Sequence, residues 1–381
     1  MKRGSVAIVG AAESDLGLVA PGTSPLDLIA QATHRALADC GLQLSDIDAV
    51  FTAASQLRMP TLSLCEYLGL RPRYQDSTGI GGSSFMTHLA HAMAAIEAGL
   101  CEVALIAYGS TQRSVSRAAA SPREYNPYES PYKPFLPATA YALAASRHMH
   151  QFGTTRTQLA EVAVAARQWA MLNPVAWEKE PLSIEQVLSA RMVSYPLTVR
   201  DCCLVNDGGG AVIVTSAARA KAMGVKAAYV LGTGECLSHM SISSMPDLTV
   251  TGAQISGAQA FAMAGLTPKD VDAVQVYDAF SINTILFLED LGFVKKGEGG
   301  AFVAGGGIAP SGHLPVNTSG GGLSYCHPGM YGLLVLIEAV RQVRGECGVR
   351  QVPECDVAIA HGNGGVLSSQ VTVLLGSAAT V

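Results

Sequence analysis

Four short segments combine glycine with side chains that can move protons or stabilise developing charge. They are Thr78-Gly79-Ile80-Gly81-Gly82-Ser83-Ser84, Val276-Tyr277-Asp278-Ala279-Phe280, Ser319-Gly320-Gly321-Gly322-Leu323-Ser324-Tyr325-Cys326-His327-Pro328-Gly329 and His361-Gly362-Asn363-Gly364-Gly365. A tyrosine titrates near ~10, so it donates a proton readily and acts as a base when a cation or hydrogen bonds depress it. Tyr277 beside Asp278, and Tyr325 two residues before His327, are therefore candidate acid/base groups, with wall-packing aromatics as the plainer alternative. Ser83 carries a nucleophile's hydroxyl, but a serine nucleophile needs an adjacent base, and no His–Asp pattern accompanies it. Capping of the helix that follows, by Ser83 or Ser84, is the favoured reading. His88 and His91, one helical turn apart, read as packing residues.

Other chemistries lack their motifs. Nine cysteines form no C-x-x-C pair, and the chain is far longer than a disulfide scaffold, which points to a reduced, cytoplasmic protein without a metal site. No G-x-x-x-x-G-K-[ST] occurs, and Gly232-Thr233-Gly234 lacks the third glycine of a dinucleotide turn. Lys+Arg 25 against Asp+Glu 30 leaves a net charge of −5 with no basic cluster, which excludes a duplex-binding face. No run approaches the length of a membrane span.

The elements that must hold these loops come from 381 residues, more than one core usually serves. An internal repeat organises them. Gly41-Leu42-Gln43-Leu44-Ser45-Asp46-Ile47-Asp48-Ala49-Val50 returns as Gly265-Leu266-Thr267-Pro268-Lys269-Asp270-Val271-Asp272-Ala273-Val274, and Cys101 to Ala107 is echoed by Cys355 to Ala360 in the same order. Each copy predicts a helix ended by glycine, an Asp-containing turn and an apolar strand. Continuous apolar strands between amphipathic helices indicate α/β layers with buried sheets. The halves are 1–220 and 221–381, and the first carries an insertion at about 111–195. That insertion opens with a Pro/Tyr-rich loop (121–134) and continues with helices at about Ala138 to His150 and Thr155 to Met171.

The duplicated halves and the four loops, in this order, resemble the thiolase superfamily. The resemblance covers essentially the whole chain and is closest to the sterol-carrier-protein type. It implies thiolase-like βαβαβαββ halves in a five-layer α-β-α-β-α arrangement with an inserted loop domain. Asp201 to Ala211 is similar to the family's Asp-x-Cys…Asp-Gly-Ala stretch, a structural start of a strand. Thiolases carry a cysteine nucleophile in the first loop and a second cysteine for proton transfer. Here the nucleophile position falls at Gly82, give or take one residue, and the first loop holds only Ser83 and Ser84. Ala279 stands where the sterol-carrier type has cysteine, and His361-Gly362-Asn363 again lacks one. Both thiols are missing, which argues against Claisen condensation and thiolysis.

Tyr277-Asp278-Ala279-Phe280, Lys295-Lys296-Gly297-Glu298-Gly299-Gly300-Ala301-Phe302 and Thr318 through Gly332 are similar to one branch, the thiolase-fold aldolases (lipid-transfer-protein-like) that shorten steroid side chains. That resemblance implies retro-aldol cleavage of a β-hydroxyacyl-CoA without an acyl-enzyme. Tyr325 would handle the hydroxyl proton, Tyr277 would reprotonate the enolate carbon or position substrate, and the two roles are exchangeable. Asp278 would tune Tyr277, and His327 would donate to the thioester oxygen. Gly82, Ser83, His361 and Asn363 would line the oxyanion and substrate loops. Arg113, Arg117, Lys295 and Lys296, with Arg123 and Lys133 in the insertion, are candidates for the CoA phosphates. Coenzyme A enters as a substrate thioester, with no permanently bound cofactor. The branch implies a homodimer, often joined by a small OB-fold/zinc-ribbon protein. Two alternatives stand: a divergent acetyl-CoA acyltransferase, and a non-catalytic acyl-CoA or lipid-binding scaffold in a hetero-complex.

Overall fold

Two aspartates show how the repeat is built. The Asp48 carboxylate accepts the main-chain N–H groups of Glu102 and Val103 at 2.8–3.0 Å, and Asp272 accepts those of Asp356 and Val357 at 2.9 Å. Each clamp ties the start of one strand to the start of its parallel neighbour. The preceding turns match as well: Gly41 (φ 73°) and Gly265 (φ 64°) end their helices in the left-handed region, where glycine is favoured. Asp46 and Asp270 then accept from the main chain of Gln43 and Thr267.

The computed structural model describes residues 1–115 and 125–381. The first half runs β1 (Val6–Glu13), α1 (Pro25–Cys40), β2 (Ala49–Thr52), β3 (Tyr74–Asp76), α2 (Ser84–Glu97) and β4 (Val103–Ser110). The insertion contributes α3 (Ala138–Phe152) and α4 (Arg156–Met171), close to the bounds expected, before β5 (Gly208–Ser216). A helical turn, Ala217–Met223, leads to the second half: β6 (Ala228–Leu237), α5 (Ala253–Ala264), β7 (Ala273–Val276), α6 (Ser281–Asp290), α7 (Gly332–Arg344), β8 (Val357–Gly364) and β9 (Ser369–Gly376).

The strands lie in the order β3-β2-β4-β5-β1-β6-β9-β8-β7. Counted outward from the β1–β6 seam, each half-sheet places its first strand, its last, its next-to-last and its second; β3 has no counterpart in the second half. The seam is slight, with only Ala7 opposite Tyr229 and Ile8 opposite Ala228. Helix α1 packs on β1, β4 and β5, and α5 packs on β6 and β9. Helices α2 and α7 touch each other and strands of both half-sheets. Two outer helical layers, two half-sheets and a shared central helical layer therefore make the five layers. The central pair is largely buried, the last turn of α2 excepted, and the polar side chains Glu338, Gln342 and Arg344 of α7 are buried with it. Both central helices begin at glycine-rich loops, and there the candidate residues gather.

Candidate active site

Glycines allow the four loops to meet. A Cβ on Gly332, in the first turn of α7, would collide with the Gly82 carbonyl oxygen, and one on Gly364 would collide with Ile80 O. Gly81 has φ +79°, and a Cβ there would sit 2.7 Å from Gly364 Cα. The loop before α2 thus rests directly on β8 and on the start of α7.

The decisive contact is at Gly82. A Cβ on this residue would lie 2.6 Å from Tyr277 Cζ, nearer still to Cε2, and 2.7 Å from the Asn363 carbonyl oxygen. The Tyr277 ring fills the space that a side chain at Gly82, the expected nucleophile position, would need. Its hydroxyl accepts from the Tyr331 N–H (3.1 Å) and donates to Gly329 O (3.3 Å), and its main-chain N–H donates to His361 O (3.0 Å). The ring stands edge-on to His327 and to Tyr331, each at 5.5 Å between centroids. Burial pushes the phenol well above its ordinary value, so Tyr277 is a neutral donor.

His327 is buried, and burial pushes its pKa down to about 4, so the imidazole is neutral at pH 7. Its main chain is paired twice with Asn206: the His327 N–H donates to Asn206 Oδ1, and the Asn206 N–H donates to His327 O, both at 3.2 Å. Its Nε2 has no partner among the described residues.

Asp278 faces the other way from the phenol. Its carboxylate accepts the N–H groups of Gly322 (2.6 Å) and Leu323 (3.4 Å), and thereby holds the glycine-rich turn Gly321–Tyr325. Burial raises its pKa to about 7, against the lowering effect of those N–H groups. Tuning of the Tyr277 hydroxyl by Asp278 is therefore replaced by support of the turn that leads to His327.

Tyr325 lies in a charged cluster of its own. Its hydroxyl donates to Glu13 Oε1 (2.8 Å), and Glu13 is paired bidentately with Arg341. Burial alone would raise the Glu13 carboxyl, but Arg341 and the tyrosine bring it below the ordinary range. Among the described residues no hydrogen bond or ring contact joins Tyr325 to Tyr277 or His327.

The remaining expected residues divide. Ser83 Oγ bonds Ile80 O (3.1 Å) and Ser369 Oγ (2.7 Å), while Ser84 Oγ accepts from the Ile80 N–H and donates to Gly81 O. Neither caps α2, because both hydroxyls turn back to fasten the loop, and Ser83 touches no histidine. His361 points into the sheet: its two ring nitrogens pair with Thr372 Oγ1 and Gln370 Oε1, each at 2.9 Å, which leaves no donor for a substrate. Asn363 is held by Gln370 and by the Tyr141 hydroxyl, and contributes its carbonyl oxygen beside Gly82. Lys296 is spent on Thr249 O (2.7 Å), Asp290 (2.6 Å) and Glu289 (3.1 Å), so all three of its donors are engaged. That corrects its assignment to a phosphate, whereas Lys295 is exposed beside a depression of about 570 Å³. Arg113 stacks over Trp177 at 4.7 Å and donates to Val205 O. Lys133 is exposed, and Arg117 and Arg123 lie outside the described residues.

Sequence reasoning missed Tyr331, Asn206 and Glu13. The first two stood inside motifs already singled out, so a closer look at each polar position there would have found them. Glu13 carried no signal, since it reads as the polar end of a strand.

Comparison with known proteins agrees with this geometry. The family described as Thiolase C-terminal domain-like matches residues 234–377. An acetyl-CoA acetyltransferase of Methanothermobacter thermautotrophicus is 34% identical over 94% of this chain and 96% of its own length. A 17-hydroxy-3-oxo-4-pregnene-20-carboxyl-CoA lyase of Mycobacterium tuberculosis is 32% identical over 91% and 93%. The solved structure of an Ltp2-ChsH2(DUF35) aldolase superposes with a TM-score of 0.89 at 28% identity, covering 99% of both chains. With the two halves, the four converging loops and these relatives together, the chain belongs to the thiolase superfamily.

Proposed function

We propose that this enzyme cleaves the Cα–Cβ bond of a β-hydroxyacyl-CoA by a retro-aldol reaction, with a steroid side chain as the acyl class and no covalent acyl-enzyme. The observation that carries the reading is the Tyr277 ring packed where a side chain at Gly82 would stand. A chain that has filled its nucleophile position can still run a reaction whose only anion is a thioester enolate, because a thioester oxyanion site suffices for that.

The step balances without a co-reactant. A base takes the β-hydroxyl proton, the O–H pair becomes the new C=O bond, and the Cα–Cβ pair moves to Cα as the enolate of the shortened thioester. Protonation of Cα then releases a shorter acyl-CoA and an aldehyde or ketone. In this reading His327 Nε2 faces the thioester oxygen and Tyr277 delivers the proton to Cα. The β-hydroxyl proton enters at Tyr325 Oη while that residue's own proton passes to Glu13, 2.8 Å away. Once the products leave, water takes that proton from Glu13 and returns one to the Tyr277 phenolate, which resets the site. Lys295 and Arg113 are the remaining described candidates for the CoA phosphates. The names of the lyase and aldolase relatives support the reaction class, and the name of the Ltp2-ChsH2(DUF35) aldolase supports a partner protein, which in this reading is a small OB-fold/zinc-ribbon protein joined to a homodimer of the chain. A CoA-dependent reaction and reduced thiols fit the cytoplasm.

Acetyl transfer is the second reading, favoured by the name of the 34% identical relative. It needs an activated nucleophile. Ser83 lacks a base, and Cys203, the thiol electrostatically coupled to Tyr277 and Asp278, is pushed far above its ordinary pKa by burial. The test is incubation of the chain, alone and with its co-purifying partner, with a β-hydroxyacyl-CoA. Aldehyde or ketone release with an unchanged protein mass supports the lyase; a covalent acyl adduct overturns it.

A further inference from the structure

Asn206 is fully buried, and its orientation is fixed. Its Oδ1 must face the His327 N–H, since the flipped amide would set two donors against each other. Its Nδ2, with two N–H donors, is consequently turned away from His327's main chain and finds no acceptor among the described residues. Buried amide donors without a partner are rare in folded proteins, because the protein has given up their hydration without replacing it. Here the feature is not isolated. The unpartnered buried side-chain atoms include Asn206 Nδ2, His327 Nε2 and Asn283 Oδ1, and Asn283 in turn donates to Tyr277 O. The segment carrying Asn206 also runs along the other loops: the Cys203 N–H donates to Ala279 O and the Leu204 N–H to Gly322 O.

We propose that Asn206 is a further catalytic residue, donating a side-chain N–H to the thioester oxygen of the bound acyl-CoA beside His327. The inference rests on the thioester-lyase reading and extends it. An enolate oxygen is an acceptor only, and with His327 assigned the tautomer that carries its proton on Nε2, two neutral donors on adjoining residues suit it: their dipoles are preorganised and no cation has to be buried. The two bonds between Asn206 and the His327 main chain hold the two residues side by side.

The test uses propionyl-CoA in D₂O with the full-length chain and any co-purifying subunit, following exchange of the α-protons by NMR. This half-reaction forms the enolate without requiring the natural acyl group. Asn206→Asp, read at about pH 9 where the carboxyl is ionised, keeps the acceptor for the His327 N–H and removes the donor, whereas Asn206→Ala removes both. The proposal expects both variants to lose about 100-fold in exchange rate, with propionyl-CoA affinity unchanged within about threefold, and expects Asn206→Asp to recover exchange as the pH falls and its buried carboxyl takes up a proton. Wild-type exchange by Asn206→Asp, with only Asn206→Ala impaired, would show a structural acceptor and overturn the proposal while the lyase reading stands. Absence of exchange in the wild type overturns the thioester reading and this assignment with it.

Discussion

Gly82→Ala is the most direct probe of the filled nucleophile position. The new methyl carbon would sit 2.6 Å from Tyr277 Cζ, whereas carbon atoms pack at about 3.5 Å. The ring cannot retreat easily, because its hydroxyl is held at both Gly329 O and the Tyr331 N–H and it is wedged edge-on between His327 and Tyr331. Overpacking of this kind costs about 1–3 kcal/mol, and the rigid surroundings place Gly82→Ala at the upper end. Tyr277→Ala alone costs about 3 kcal/mol or more through the cavity it leaves. In the double variant the methyl enters that cavity, and only the Asn363 carbonyl oxygen at 2.7 Å still opposes it, so the added cost of Gly82→Ala falls to about 1 kcal/mol. The cycle should therefore show a coupling of at least about 1 kcal/mol, measured by urea unfolding followed with circular dichroism. Cleavage activity should fall with Gly82→Ala, because the phenol is displaced. A Gly82→Ala protein as stable as wild type, or one destabilised equally in both backgrounds, would refute the contact and the mechanism drawn from it.

Tyr325→Phe should lower turnover by at least about 100-fold if its hydroxyl receives the substrate proton; it should also cost about 1.5–3 kcal/mol, since it removes a hydrogen bond to a charged group. Stability loss with unchanged turnover would reduce the Tyr325–Glu13–Arg341 cluster to a structural role. Lys296→Met should destabilise by about 1.5–3 kcal/mol, because Asp290 and Glu289 lose their lysine while Thr251 and His148 still pair with them, and leave KM for acyl-CoA unchanged, whereas Lys295→Ala should raise KM. Asp278 has a folded-state pKa of about 7, above its unfolded value, so its contribution to stability is full below about pH 4 and is lost as the pH rises to 7. His327 and His361, held near 4, act oppositely, since they lose stability as the pH falls from 6.5 to 4. Asp278→Asn should therefore make stability rise more steeply with pH between 4 and 7, by about 4 kcal/mol across the window. Parallel pH–stability curves for the two proteins would show that Asp278 is ionised throughout.

What could be read in the sequence was what local rules govern. The duplicated helix-end glycines and the aspartates Asp46 and Asp270 that cap the following turns are short-range devices, and each leaves a pattern within ten residues, whereas the clamps from Asp48 and Asp272 reach 54 and 84 residues along the chain and showed only as repeated aspartates. The four loops were legible for a related reason: glycine clusters at the ends of buried strands mark places where backbone approaches backbone. Side-chain direction was not legible. His361 lies in the loop expected to bind substrate, yet the alternation along β8 turns it toward Thr372 and Gln370 on the neighbouring strand. The serines misled because a hydroxyl at the start of a helix reads as a cap until the loop before it is seen to need fastening.

The loss of the nucleophile is recorded in two places far apart in the sequence. Gly82 alone could be a drifted position, and Tyr277 alone could be a packing aromatic. Only the fold shows that the absent side chain of one is the space occupied by the other, so neither is free to change without its partner. The same holds for Tyr325 and Glu13, 312 residues apart, whose hydrogen bond joins the phenol to the Glu13–Arg341 ion pair and underlies the proton path proposed for it. The thiols of a thiolase were thus not merely deleted here. The space at Gly82 is taken by the Tyr277 ring, and the proposed proton-transfer role falls to hydroxyls packed against the other half of the duplicated chain, which is why a pattern of motifs could name the altered loops but could not pair the residues that alter them.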